Sequence, residues 1–172
     1  MSNFYAGVDV GATTVKIGTF SDKGELIEKW EIPTRKEEQG AHILQDIVDS
    51  LEAKREKCQG NILGIGMGIP GPVTDDGVVH RCTNFGWGVF SVKEKVIEMT
   101  GVGRVRISND ANIAALGEMW KGGGRGHDSI VMVTLGTGVG GGIIQKGRVL
   151  MGSSGAGGEI GHIKEEFDHP AP

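Results

Sequence analysis

The sequence predicts a mixed α/β protein built as two similar lobes, the second only begun. Three observations predict it. Short β-prone runs bounded by turn residues share the chain with a stretch whose apolar residues recur at helical spacing. The predicted order is strand–strand–strand–helix–strand, followed by helix–strand–helix. Finally, the strand–Gly/Thr turn–strand segment Tyr5–Phe20 (YAGVDVGATTVKIGTF) returns at Ile130–Gln145 (IVMVTLGTGVGGGIIQ), with Gly11 aligned on Gly136. A repeat that long marks two lobes rather than a solenoid. Residues 1–120 are expected to form the N-terminal lobe and residues 121–172 the incomplete start of the second. The chain thus reads as part of a longer protein, with an uncovered apolar face around Ile130, Met132, Ile143 and Ile144.

Each element has its own justification. Phe4–Asp9, Val15–Phe20 and Leu26–Ile32 are β-prone and separated by tight turns, so they read as an antiparallel meander. From Glu37 to Lys57, Ile43, Leu44, Ile47, Val48 and Leu51 fall on one helical face, with charges on the other. Ile62–Gly68 is a buried-looking strand. Ser91 with Glu94 three residues on makes a capping box opening a helix to Met99. Val102–Ser108 then reads as a strand and Asp110–Trp120 as a helix. The run 121–126, KGGGRG, is expected as a linker or mobile turn. Ile130–Leu135 and Gly142–Gln145 are strands flanking a glycine loop.

Composition narrows the function classes. Gly supplies 31 of 172 residues, well above its ordinary share of about 7%. No three-residue period accompanies it, which excludes collagen. Eighteen basic against 22 acidic residues leave a net charge of −4, so no nucleic-acid partner is expected. Cys58 and Cys82 make no disulfide framework, and a reducing cytoplasm is the default location. No signal-like N-terminus and no membrane span are predicted.

Four segments carry chemistry. In Asp9–Lys16 (DVGATTVK) a Gly/Thr turn offers backbone N–H groups and hydroxyls to phosphate oxygens, and Asp9 can hold Mg²⁺ through water. A plain hairpin capped by Asp9 fits the same segment. Leu135–Gly142 (LGTGVGGG) allows close approach of backbone to a ligand. Gly136, Gly138 and Gly141 match G-x-G-x-x-G, and so do Gly66, Gly68 and Gly71, but neither leads into a helix as a dinucleotide fold requires. Asp110, at a strand-to-helix junction, reads either as a helix N-cap or as a general base at the mouth of a cleft. Glu159 and His162 could hydrogen-bond the vicinal hydroxyls of a sugar; His162 could equally be structural, or with His169 a metal ligand.

Taken in order, Asp9–Lys16, the run 68–72 (GIPGP), the run 109–112 (NDAN), Leu135–Gly142 and the run 159–162 (EIGH) resemble the ROK family of sugar kinases and repressors, and within it the ATP-dependent glucokinases. The resemblance implies an actin-like ATPase (ribonuclease H-like) fold with the active site between two lobes. It implies Asp9 near Mg²⁺, and ATP phosphates contacted by Gly11, Ala12, Thr13, Thr14, Lys16, Thr137, Gly138, Gly140 and Gly141. Asp110 would be the catalytic base, while Asn109, Glu159 and His162 bind sugar and Asn84 lines its pocket. The implied reaction is transfer of phosphate from ATP to the 6-hydroxyl of glucose, with N-acetylhexosamine, mannose or fructose as other substrates. A homo-dimer or homo-tetramer is implied as well.

Two departures stand out. Gly11-Ala12-Thr13 replaces the family's Gly-Gly-Thr. The chain also stops before the family's Cys-x-Cys-Gly-x-x-Gly-Cys-x-Glu segment, which supplies partners for a structural Zn²⁺ that His162 would help to hold. Repressors of the family place a helix-turn-helix ahead of the first motif, whereas eight residues precede Asp9. A Rossmann oxidoreductase is disfavoured by the strand-like sequence after Gly141.

Overall fold

A computed structural model describes residues 3–80, 82–135, 139–152, 155 and 157–162. Strands β1 (Phe4–Val10), β2 (Thr14–Phe20) and β3 (Leu26–Pro33) form the expected meander. After a single turn, α1 (Glu37–Gly40), the long helix α2 (Ile43–Cys58) returns the chain to β4 (Ile62–Ile69), which pairs parallel to β1. A two-stranded ribbon, β5 (Val78–Val79) with β6 (Phe90–Ser91), precedes α3 (Val92–Thr100), β7 (Val105–Asn109) and α4 (Asp110–Lys121). The sheet order is β3-β2-β1-β4-β7. Beyond α4 a second sheet, ordered β10-β9-β8, comprises β8 (Ile130–Leu135), β9 (Val139–Gln145) and β10 (Arg148–Val149); a 3₁₀ turn at Ile160–His162 follows.

Strand alternation explains which face is buried. In β1 and β2 the pairs Val8↔Ile17 and Val10↔Val15 point to one side. There they join Ile43, Leu44, Ile47 and Leu51 of α2 and Val92 and Val96 of α3 in a single core. Each such buried side chain stabilises the fold by about 1.5–3 kcal/mol. The intervening pair, Asp9↔Lys16, necessarily faces the other way.

Several sequence expectations need correcting. The helix expected over Glu37–Lys57 is interrupted: Glu38 (φ 53°), Gln39 (φ 58°) and Gly40 (φ 68°) are left-handed, and regular helix begins only at Ile43. The run 121–126 is no open linker, because Gly122, Gly123 and Gly124 all donate to Glu118, two to its carbonyl and Gly123 to its side chain at 2.9 Å. Strand β9 starts at Val139, three residues earlier than expected, so Gly140, Gly141 and Gly142 are strand residues opposite Thr134, Val133 and Met132. A Cβ on Gly142 would lie 2.6 Å from the Ala111 carbonyl and 2.7 Å from the Ala115 methyl. This glycine therefore lets α4 lie directly on β9. The uncovered face is also not the one expected. Ile144 is buried and Ile130 and Met132 are half-buried, while Val131, Val133, Leu135 and Val139 are exposed on the opposite face. Among the described residues no helix is long and apolar enough to cross a membrane.

Candidate active site

The C-terminal end of β7 delivers Asn109 and Asp110 together, and the two divide the work. Asn109 is the N-cap of α4: its side-chain oxygen accepts from the Asn112 amide at 3.1 Å, and its Nδ2 donates to the Gly71 carbonyl at 3.2 Å. The cap reading weighed for Asp110 therefore belongs to its neighbour. Asp110 is the first helical residue, with one carboxylate oxygen accepting from the Ala111 amide at 2.8 Å. Burial, and secondarily the nearby negative charge of Asp9, push its pKa above the ordinary carboxylate range; the Ala111 amide pulls the other way. A half-buried carboxylate at an α/β strand end, hungry for a proton, fits a general base.

Asp110 opens onto a cleft of about 1390 Å³. Asp9 and Lys16 line it from β1 and β2, Asn84 from the loop before β6, Asn109 from β7, and Glu159 from the segment before the 3₁₀ turn. Gly140 and Gly141 of β9 form the facing wall with Thr134 and Val139. Gly68 of β4 lies against the start of α4, where a Cβ would stand in ordinary contact with the Asp110 Cα at 3.4 Å. Eight of the residues singled out in the sequence thus meet in one cleft, though they span 150 positions from Asp9 to Glu159.

Others lie elsewhere. Gly11, Ala12 and Thr13 form the β1–β2 connection and Thr14 opens β2; none of the four is in the cleft lining. The Gly11 amide donates to Thr14 O at 3.1 Å, and a Cβ on Gly11 would approach that oxygen to 2.7 Å, so the tight turn requires glycine. Thr137 and Gly138, like Gly136 between the second pair of strands, lie outside the described residues, as do His169 and the side chain of His162. Among the described residues no three His, Cys, Asp or Glu side chains cluster as metal ligands. No zinc site is therefore built there, while Asp9 beside Asp110 is a donor set of the hard-oxygen kind that suits Mg²⁺. Sequence reasoning passed over Thr83 and read Cys82 for its redox state alone, yet both line the cleft, as does Pro70 of the 68–72 run. Thr83, a hydroxyl adjoining Asn84, was the readable signal.

The geometry defines an α/β protein with a carboxylate-bearing cleft at its strand ends. The chain belongs to the ROK family, which it matches over residues 5–171. It is 48% identical over 164 residues to a glucokinase of Halalkalibacterium halodurans, covering 93% of this chain and 49% of that protein. An N-acetyl-D-glucosamine kinase of Yersinia enterocolitica is 36% identical, with 95% and 54% covered. The crystal structure of a ROK family glucokinase from Streptomyces griseus, in complex with glucose and AMPPNP, superposes with a TM-score of 0.81 at 33% identity. That match covers 94% of this chain and 50% of the other. The fold is thus the actin-like ATPase fold over about half its length. The chain spans about half the length of the curated relatives it matches.

Proposed function

We propose that this chain is the front portion of a two-lobed kinase that transfers phosphate from ATP to the 6-hydroxyl of glucose, with residues 1–120 as the first lobe and 121–172 as the start of the second. The observation that carries the reading is Asp110. Its neighbour Asn109 performs the capping, which leaves a carboxylate with raised proton affinity facing a cleft. Likeness to glucokinases over nearly the whole chain supports the substrate.

In this reading the sugar lies against Asn84, Asn109, Glu159 and His162, with its 6-hydroxyl at Asp110. The hydroxyl oxygen forms a bond to the γ-phosphorus, the bond to the ADP oxygen breaks, and the proton passes to Asp110. Lys16 is the lone cation lining the cleft among the described residues, facing Asp9, Asp110 and Glu159. ATP phosphates therefore need further positive charge. Asp9 would hold Mg²⁺ through water, and the bound ion would supply charge neutralisation at the phosphate oxygens. The Ala12 and Thr13 amides make no intramolecular bond among the described residues and suit the same phosphates, with Gly11, Thr14, Thr137, Gly138, Gly140 and Gly141 completing the phosphate contacts. An N-acetylhexosamine is the second candidate substrate, favoured by the Yersinia relative. A homo-oligomer in the cytoplasm completes the proposal.

The test is Asp110→Asn in the full-length protein that the proposal requires. Its kcat should fall by about 10²–10⁴-fold while the glucose KM changes little. In the unaltered enzyme kcat should rise with pH through a point above the ordinary Asp value of about 3.9, because the deprotonated base is the active form and burial delays its appearance. Near-normal turnover by Asp110→Asn would remove the assignment. The 172-residue chain alone is expected to show no turnover. Comparing kcat/KM for glucose and N-acetylglucosamine decides the sugar.

A further inference from the structure

The left-handed turn between β3 and α2 has a position that its own sequence does not explain. Glu38 and Gln39 are L-residues held at φ 53° and 58°, next to Gly40 at φ 68°. Backbone of this kind is costly for residues with a Cβ and persists where surrounding contacts hold it. The contacts here are with the loop that carries Asn84. The Trp87 Nε1–H donates to the Gly40 carbonyl at 3.2 Å in a buried setting. A Cβ on Gly40 would lie 2.8 Å from that same nitrogen, and one on Gly86 would lie 3.2 Å from the Gln39 Cβ, so turn and loop are in close contact at two glycines.

The loop itself is closed and anchored. Cys82 and Trp87 exchange both backbone bonds at 3.1 Å, and the Phe85 amide donates to the Cys82 carbonyl at 3.2 Å. The buried rings of Phe85 and Trp87 meet edge-on at 5.2 Å, and Trp87 meets Phe90 likewise at 5.3 Å. Thr83 and Asn84 are then the residues presented to the cleft. The other end of the same segment reaches the β1–β2 turn. The Thr34 hydroxyl donates to the Gly11 carbonyl at 2.8 Å, and the Thr34 amide to the Thr13 carbonyl at 3.0 Å.

We propose that Thr34–Gly40 is a positioning strap, one piece of backbone that holds the phosphate-side turn through Thr34 and the sugar-side loop through Gln39, Gly40 and Trp87. It rests on the functional reading above, which puts ATP phosphates at Gly11–Thr14 and sugar at Asn84. Thr34, Gln39 and Trp87 are positioning residues: they touch neither substrate and act through the turns that do. Because each end serves one subsite, damage to one end should weaken one substrate only.

Three variants of the full-length protein test this. Trp87→Phe keeps a ring and removes the N–H; it should raise the glucose KM at least about threefold and leave the ATP KM and kcat within about twofold. Gln39→Gly should do the same, although glycine adopts φ near +58° freely and the melting temperature should not fall. It carries the test if Trp87→Phe does not fold. Thr34→Val, of similar volume but lacking the donor, should raise the ATP KM and spare that for glucose. An active kinase in which these variants move both KM values together, or neither, overturns the strap. If the unaltered protein phosphorylates no hexose, the functional reading fails, and hydrogen exchange then decides the strap separately. The Phe85 and Gly86 amides should exchange faster in Gln39→Gly, and the Gly11 amide faster in Thr34→Val; unchanged exchange overturns it.

Discussion

Two hairpins of this molecule share a sequence pattern and have opposite surroundings. Ala6, Val8 and Val10 of β1 correspond in the internal repeat to Val131, Val133 and Leu135 of β8. The first three are 3%, 5% and 0% exposed, the second three 66%, 52% and 81%. Alternation is equally good in both, so pattern chose the apolar face and neighbours chose its fate. Helix α2 and α3 cover the first face. Of the second, among the described residues the segment near Ile160 covers the part around Gly141, where a Cβ would meet the Ile160 side chain at 2.6 Å. The hairpins also close differently: Val10 pairs with Val15, while Leu135 pairs with Val139, one residue sooner.

The largest expected effect comes from placing a charge at matched positions of the two hairpins. Val10→Glu buries an unpaired carboxylate and should destabilise the chain by about 4 kcal/mol or more, read by urea unfolding. Leu135→Glu in the 172-residue chain should stay within about 0.5 kcal/mol and reduce self-association measured by light scattering. Equal damage from both would show that the second face is covered after all. The same Leu135→Glu change in the full-length protein should become costly, since the proposed remainder of the second lobe would cover that face.

Gly142→Ala attacks the contact between the two regions. Its Cβ has no room between Ala111 and Ala115, so α4 and β9 must separate, at a cost of about 1–3 kcal/mol. A melting temperature equal to that of the unaltered chain would refute the close approach. Asn109→Ala removes the α4 cap and should cost about 1 kcal/mol, with a thermal shift as the readout.

Asp110→Asn is the smallest stability effect and has the opposite sign. The folded-state pKa of Asp110 is raised, so between the unfolded and folded values the native state binds more protons than the unfolded one. Stability therefore falls as pH rises through that window, and stays lower above it. Removing the charge should raise the melting temperature at pH 7, an advantage that vanishes below about pH 3.9. A lower melting temperature at pH 7 would mean that the carboxylate is favourably paired rather than desolvated.

Much of this was legible before the structure. The three-strand meander, α2 from Ile43 onward and the Ser91 cap, which accepts from the Glu94 amide at 3.2 Å, follow from local pattern and turn chemistry. The residues Asp9, Asp110 and Glu159 were nameable from motifs and Asn84 from the family resemblance, and the four meet in one cleft. The left-handed turn at Glu38–Gly40 was not legible, because Glu38 and Gln39 are ordinary helix formers and the partner that holds the break, Trp87, lies 47 positions away from Gly40. The start of β9 was misread for a related reason. A glycine run reads alike whether it turns or continues a strand, and the contact of Gly142 with α4 is visible only in the structure.

What the sequence by itself determined is what depends on residues close in the chain: strand alternation, helical spacing, caps, tight turns, and thus which side chains share a face. That was enough to put Asp9 and Lys16 on the side opposite the core, because period two leaves no other choice. What only the tertiary structure decided is which faces found partners and which polar groups shared a site. Asn109 as cap and Asp110 as the desolvated carboxylate differ by one position, and their separate roles come from the Gly71 carbonyl, the Asn112 amide and Asp9, contributed by the loop after β4, by the helix they open and by β1. Burial and proton affinity are set by neighbours in space, and the order of residues constrains those neighbours only through the fold.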